Sequence, residues 1–247
     1  MSPITIIIAT YNAGKYLQNC LDSIIPQKNE LAELIIIDGG SKDNTIEIIR
    51  NNQQDISYWI SERDNGIYDA WNKGIIKAKG EWIMFLGADD LLLPDSLYAL
   101  VKYIKQNGKG LDIISSKLDY VTENGSHIRY IGEPWNWKKF KMSKMSFAHP
   151  GLLHSSLLFV RNGLFDTTFK ICGDSELFLR TQGNMTAGFI DFVTVKMQRG
   201  GMSYSAKAIV ETYHIRQKNH TLSAAKNSFR FLRMLVIFYM SKIKQAI

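Results

Sequence analysis

Two adjacent carboxylates, Asp89 and Asp90, close the apolar run "WIMFLG" (82–87) in the segment "FLGADDLLLPD" (85–95). Like charges at that separation raise each other's pKa unless a cation sits between them. Carboxylate oxygens are hard ligands suited to Mg²⁺ or Mn²⁺, and Mg²⁺ commonly combines one or two of them with substrate phosphates. Two other apolar runs end in groups of complementary chemistry. "ITIIIA" (4–9) leads into Thr10, Tyr11 and Asn12, and "LIIID" (34–38) ends on Asp38 before Gly39, Gly40 and Ser41. A carboxylate such as Asp38 can accept a hydrogen bond from a ring N–H of a nucleobase, and Tyr11 can stack on that base. The two glycines let backbone approach a ligand. Combined, these groups suit a nucleoside diphosphate held through a divalent metal. Taken singly, Thr10, Asn12, Asp38 and Ser41 read equally well as helix caps. The sequence has neither GxGxxG nor GxxxxGK[ST], which argues against a dinucleotide fold and a P-loop NTPase.

The elements that must position these groups alternate along the first half. The runs at 4–9, 34–38, 57–61 and 82–87 read as strands, the β-branched ones buried on both faces. Helices are expected after Asn12, with Leu17, Cys20, Leu21 and Ile24 inward, and over 41–52, 67–78 and 94–108. Repeated β-α units imply an α/β protein with a mostly parallel, Rossmann-like central sheet flanked by helices. In such sheets ligands bind beyond the carboxyl ends of the strands, where all of these polar groups lie. The second half changes character. A hairpin signal stands at Asn124-Gly125, strands are expected at 152–160 and 189–195, and a short helix at 175–181.

Residues 1–205 read as one domain in two halves, 1–110 and 111–205. Residues 206–247 read as a basic helical tail. The net charge of +7 lies wholly there: from Ser205 onward eight basic residues face one acid, Glu211, while the other 204 residues carry 22 of each sign. A neutral main domain argues against nucleic acid as partner. The tail reads either as a helix packed on the domain or as one lying in an anionic membrane surface, with leucines and aromatics buried and cations toward the headgroups. Two cysteines are too few for a disulfide framework and suggest a reduced compartment. The start reads as a strand rather than a signal peptide, and no apolar run approaches a transmembrane span.

The ordered segments "TIIIATYNAGKYLQNCLDSI", "LIIIDGGSKDNT", "SERDNGIYDAWNKGI" and "GEWIMFLGADD" resemble the motifs of glycosyltransferase family 2, which has the GT-A fold. The likeness covers roughly residues 4 to 203 and is nearest to bacterial members that build capsule, colanic-acid or O-antigen polysaccharide. It implies an inverting, metal-dependent hexosyl- or N-acetylhexosaminyltransferase, with a UDP-sugar as the expected donor and a glycan or lipid-linked acceptor. The site would be cytoplasmic, at the inner face of the cell membrane.

By this resemblance Thr10, Tyr11, Asn12, Asp38, Asn72 and Asp89 belong to the donor site, with Asp38 reading the base. Asp90, with Asp89, would hold the metal. "FKICGDSELFLR" (169–180) resembles the segment that carries the catalytic base, which falls on Asp174, with Glu176 as second candidate. From the residues alone Asp174 is also a helix N-cap. His154 resembles a histidine near the acceptor or diphosphate, although a satisfied strand histidine is an equal reading; His149 is a weaker candidate. "GGMS" (200–203) resembles a segment that closes over the donor. Two positions depart from the family pattern: Gly87 stands where an acid is common, and Trp71 where an arginine is common. A sugar nucleotidyltransferase or a non-catalytic nucleotide-sugar binder are the alternative functions. The first would need a glycine-rich phosphate loop that "ATYNAGK" does not supply.

Overall fold

A computed structural model describes residues 2–142, 149–200 and 205–246. The first half contains β1 (Ile4–Thr10), α1 (Leu17–Lys28), β2 (Ala32–Asp38), α2 (Thr45–Asn51), β3 (Tyr58–Ser61), α3 (Ile67–Lys77) and β4 (Trp82–Gly87). The second contains β5 (Leu91–Leu92), α4 (Ser96–Asn107), β6 (Ile113–Val121), β7 (His127–Ile131), α5 (Trp137–Met142), β8 (Leu153–Ser155), α6 (Ser156–Asn162), α7 (Gly173–Arg180) and β9 (Ala187–Gln198). Two helices, α8 (Ala206–Lys218) and α9 (Ala224–Ala246), end the described chain.

The strands join one sheet in the order β3-β2-β1-β4-β8-β6-β9-β5, with β7 added on β6. Strands β1 to β4 are all parallel. Beyond β4 the pairing is mixed: β8 is antiparallel to β4 and β6, β7 is antiparallel to β6, and β9 is parallel to β6. Successive residues of β1 enter opposite cores. Ile4, Ile6 and Ile8 pack with α1 and α4 residues, while Ile7 joins Ile35, Ile37, Trp71 and Phe85 on the other face. That is why the early strands are apolar throughout rather than alternating. Each such buried side chain contributes roughly 1.5–3 kcal/mol.

Register puts the chemistry at one edge. Thr10 lies opposite Asp38, Asp38 opposite Ser61, and Ala9 opposite Gly87. The carboxyl ends of four parallel strands therefore finish level.

Two expectations are corrected. The run 152–160 is not one strand. It pairs only over Leu153–Ser155 and then turns into α6, which buries Leu158 and Phe159 but exposes Leu157 and Val160. A short continuous apolar run fits either period, and here the helical one takes over. Asn12 does not cap α1, whose preceding residue is Tyr16; Asn12 adopts a left-handed conformation (φ 49°) and its Oδ1 accepts from Lys42 N–H at 2.8 Å.

Packing continues beyond residue 205. In α8, Ala208, Ile209 and Ile215 are buried, and Ile215 belongs to the second core. Among the described residues, α9 adds none to either core. It holds to α8 through Asn227, which donates to Tyr213 O at 3.0 Å, and through Phe231 against the Tyr213 ring.

Candidate active site

The loops after β1 and β2 are sewn together. Ser41 Oγ accepts from Asn12 N–H, Thr45 Oγ1 from Ala13 N–H, and Asp43 Oδ2 from Gly14 N–H, all at 2.8–2.9 Å. The residues of both motifs thus shape one rigid rim above the sheet. Within it Tyr11 is 66% exposed and presents its ring to solvent.

Asp38 is fully buried beneath this rim. Its Oδ1 accepts from the hydroxyls of Thr10 and Ser41, and its Oδ2 from Gly40 N–H, Ser41 N–H and Ser61 Oγ. Burial alone would raise its pKa. The bonds from Ser41, Ser61 and Thr10 outweigh burial and hold it below the usual carboxylate value. With five donors on two oxygens, Asp38 organises the turn and has little capacity left for a base. Thr10 likewise spends its hydroxyl on Asp38 and is buried.

At the end of β4, Asp90 is buried and Asp89 exposed. Asp90 Oδ2 accepts from Gly87 N–H at 2.8 Å. Burial, with the charge of Asp89 beside it, raises the Asp90 pKa to about 8 against the pull of that N–H. A carboxylate pair so strained in its charged form is suited to a cation. At Gly87, a Cβ would stand 2.7 Å from Asp89 Oδ1 and 3.0 Å from Asp90 Oδ2. Among the described residues no group of three or more His, Cys, Asp or Glu side chains could hold a metal by itself. Asp89 and Asp90 fit Mg²⁺ or Mn²⁺ in the manner that leaves most of the shell to phosphates.

Asp174 lies in the first turn of α7, half-buried. Its Oδ1 accepts from Ser175 N–H at 2.7 Å, and the Tyr68 hydroxyl stands 3.3 Å away, sharing its proton with Ile171 O at 2.9 Å. Burial raises the Asp174 pKa to about 6, opposed by the Ser175 and Tyr68 bonds. Such a carboxylate is charged at neutral pH yet basic enough to take a proton. The preceding loop is clamped from both sides. Glu211 on α8 accepts from the N–H groups of Lys170, Ile171 and Cys172, and Lys170 Nζ donates to Asn65 O at 2.6 Å. Asp174 is thereby tied to the start of α3.

Three of the expected site residues have partners within the protein. Asn72 donates to Phe165 O at 2.9 Å and accepts from Phe165 N–H at 3.0 Å, which uses its amide in both directions. Glu176 is fully buried, paired with Arg180 and near Lys218 and Asn219. His154 is fully buried with Nδ1 3.3 Å from Ile83 O, and its ring stacks on Phe178. Burial, with His149 nearby, holds His154 well below its usual pKa, and burial alone takes His149 to about 3. Both histidines are held neutral, and the Nε2 atom of each is buried without a hydrogen-bond partner. Trp71, standing where an arginine is common, is buried and packs on Phe85 and His149, so it takes no part at the rim. The segment 200–203 lies, apart from Gly200, outside the described residues.

Tyr68 and Glu211 are not evident as site residues from the sequence. Tyr68 had a weak signal, as an aromatic in the first turn of the helix that opens on the "DNG" segment. Glu211 had a better one, as the single acid of a basic tail.

This arrangement of parallel strands, a carboxylate pair beyond the fourth and a mixed second half is the GT-A architecture. The structure aligns with the TarS fragment 1–349 of S. aureus solved with UDP-GlcNAc, at TM-score 0.71 and 17% identity, over 98% of this chain and 73% of that one. It also aligns with the mannosyltransferase PcManGT of Pyrobaculum calidifontis solved with GDP-Man and Mn²⁺, at TM-score 0.64 and 19% identity, over 87% and 63%. At such identities the likeness concerns the fold.

In sequence, the profile of "Glycosyl transferase family 2" matches residues 5–166. A PGL/p-HBAD biosynthesis glycosyltransferase of Mycobacterium bovis is 32% identical over 190 residues, covering 73% of this chain and 70% of that protein. An uncharacterized glycosyltransferase of Rickettsia typhi is 28% identical over 187 residues, covering 72% of this chain; the chain spans 58% of that relative's length. The chain belongs to glycosyl transferase family 2.

Proposed function

We propose that this chain is an inverting glycosyltransferase. It would move a hexosyl or N-acetylhexosaminyl group from a nucleoside-diphosphate donor, a UDP-sugar first among the candidates, to a hydroxyl of a lipid-linked or oligosaccharide acceptor in bacterial surface polysaccharide synthesis. The observation that carries the reading is Asp174, a half-buried carboxylate in the first turn of α7 that accepts from Ser175 N–H and from the Tyr68 hydroxyl of α3. Solved neighbours with UDP-GlcNAc and with GDP-Man and Mn²⁺ support a nucleotide-sugar donor and a metal.

The chemistry follows from the groups present. Asp174 takes the acceptor hydroxyl proton as that oxygen bonds to the anomeric carbon. The bond from the anomeric carbon to the diphosphate oxygen breaks on the opposite face, through an oxocarbenium-like transition state. Tyr68 and the Glu211-clamped loop hold the carboxylate in place, and Tyr11 offers a stacking surface. A divalent cation held by Asp90 and Asp89 would supply positive charge against the diphosphate. Incubating the full chain with UDP- and GDP-sugars and Mn²⁺ should release nucleoside diphosphate by slow hydrolysis; no release from any donor would leave a non-catalytic binder as the better reading.

The tail supports a place at the membrane. Helix α9 exposes Phe229, Leu232, Val236, Tyr239, Met240 and Ile243 at three- and four-residue spacing, with Lys226, Arg230, Arg233 and Lys242 among them. Among the described residues no helix is long and apolar enough to cross a membrane. A helix lying in the interface of the inner leaflet satisfies both observations. The full chain should float with vesicles containing anionic lipid, and the Leu232→Glu, Val236→Glu double variant should not. Equal flotation of the two would remove the membrane claim.

A further inference from the structure

We infer that Arg216 and Arg230, brought together where α8 meets α9, hold a phosphate group of the acceptor lipid beside the loop that carries Asp174. The inference rests on the lipid-linked acceptor proposed above and names the part of it that the protein grips. Arg216 is buried at 2% exposure in the last turn of α8. Arg230 is half-buried in α9, and its Nε is enclosed without a hydrogen-bond partner. Asn227, buried one turn before Arg230, locks the two helices together by donating to Tyr213 O at 3.0 Å.

Two guanidinium groups so placed repel each other. Burial and the charge of Arg230 pull the Arg216 pKa down to about 10, so Arg216 is still a cation at neutral pH. The carbonyl ends of α8 offset part of that charge, while Arg230, two turns into α9, gains nothing of the kind. Enclosing a charged donor that meets no acceptor costs free energy. A phosphate removes both costs. Its charge relieves the repulsion, and its oxygens match the planar fork of donors on a guanidinium.

Place decides which phosphate. Cys172 Sγ lies 3.6 Å from Ala208 O and 3.8 Å from Thr212 Oγ1, both on α8. Arg216 follows Thr212 by one turn, near enough for the Cys172 thiol to act on its charge. Asp174 is two residues beyond Cys172. The donor's diphosphate is assigned to the carboxylate pair at the end of β4, which leaves the acceptor as the source. Helix α9 also carries the apolar stripe proposed to lie in the membrane, so a phosphate at headgroup depth comes within reach of Arg230. Held there, it tethers the sugar attached to it near the base.

The test begins with inorganic pyrophosphate, titrated calorimetrically into the full chain in EDTA so that the carboxylate pair has no metal to contribute. The parent should bind it. Arg230→Gln and Arg216→Gln should each weaken binding by about tenfold or more, the worth of a hydrogen bond to a charged group. Arg233→Gln, the same charge change at an exposed position of α9, should stay within about twofold of the parent. Melting temperatures show which variants fold, and Arg230→Gln alone decides should Arg216→Gln not. Flotation with neutral vesicles carrying a polyprenyl diphosphate or, at equal charge, phosphatidylglycerol then separates the sources. Arg230→Gln should lose binding to the first and keep it to the second. Equal loss on both vesicles makes the ligand a headgroup and overturns the acceptor assignment. Equal weakening by Arg230→Gln and Arg233→Gln, or no pyrophosphate binding by the parent, overturns the site. A parent that fails here yet releases nucleoside diphosphate from a donor leaves the proposed function standing; no release from any donor refutes that function whatever the anion affinity.

Discussion

Asp174→Asn is expected to lower sugar transfer by about 10²- to 10⁴-fold, the usual contribution of a positioned general base. Asn preserves the shape and can still accept from Ser175 N–H and the Tyr68 hydroxyl, so the melting temperature should hardly move. The sign of the pH dependence follows from the raised pKa. The base works deprotonated, and burial favours the protonated form up to about pH 6. Below that value kcat/KM of the parent chain should rise tenfold per pH unit, and above it level off. In Asp174→Asn this limb should vanish. A fully active variant, or one keeping the limb at about pH 6, would take the base role away from Asp174.

Asp90→Asn is the second large effect. Asn retains an acceptor for Gly87 N–H but gives up the charge that a divalent cation needs. Charge offset at a leaving diphosphate is worth several kcal/mol, so turnover should fall by roughly 10²- to 10⁴-fold. Mn²⁺ titrated into the chain with UDP present should bind at least tenfold more weakly in the variant. Asp89 is exposed and makes no second brace, so it cannot replace the lost ligand at its neighbour's position. Equal Mn²⁺ affinity and activity would mean that the pair at the end of β4 holds no metal. With one acid fewer than the family commonly has, the site gives this substitution little redundancy. Gly87 cannot restore that acid while Asp89 and Asp90 keep their positions, since even a Cβ would crowd both.

The parallel half was legible in the sequence because its strands are continuous β-branched runs buried on two faces, and their polar ends mark one edge. The places of Asp89, Asp90, Tyr11 and Asp174 at element ends were legible for the same reason: each ends or begins an element whose period is plain. What the sequence could not reveal is how side-chain hydrogen-bonding capacity is spent. Asn72, Glu176 and His154 fit a family pattern by position, yet Phe165, Arg180 and Ile83 consume them. Asp38 fits too, and the serines at 41 and 61 consume it. Tyr68 meets Asp174 across 106 residues of sequence, and Glu211 meets the base loop across about 40, distances at which no local pattern carries information. The run at 152–160 failed differently. Its apolar residues suit strand and helix alike, and only the end of the pairing at Ser155, opposite Trp82, decides where the strand stops.

A single displacement assisted by one base inverts the anomeric centre, and the anomer formed at turnover tests it most directly. NMR spectra taken in the first minutes of donor hydrolysis, before the free sugar mutarotates, should show the β-sugar appearing first from an α-linked UDP-sugar. The α-sugar appearing first would mean retention, and would contradict a mechanism in which Asp174 activates the incoming hydroxyl opposite the leaving diphosphate.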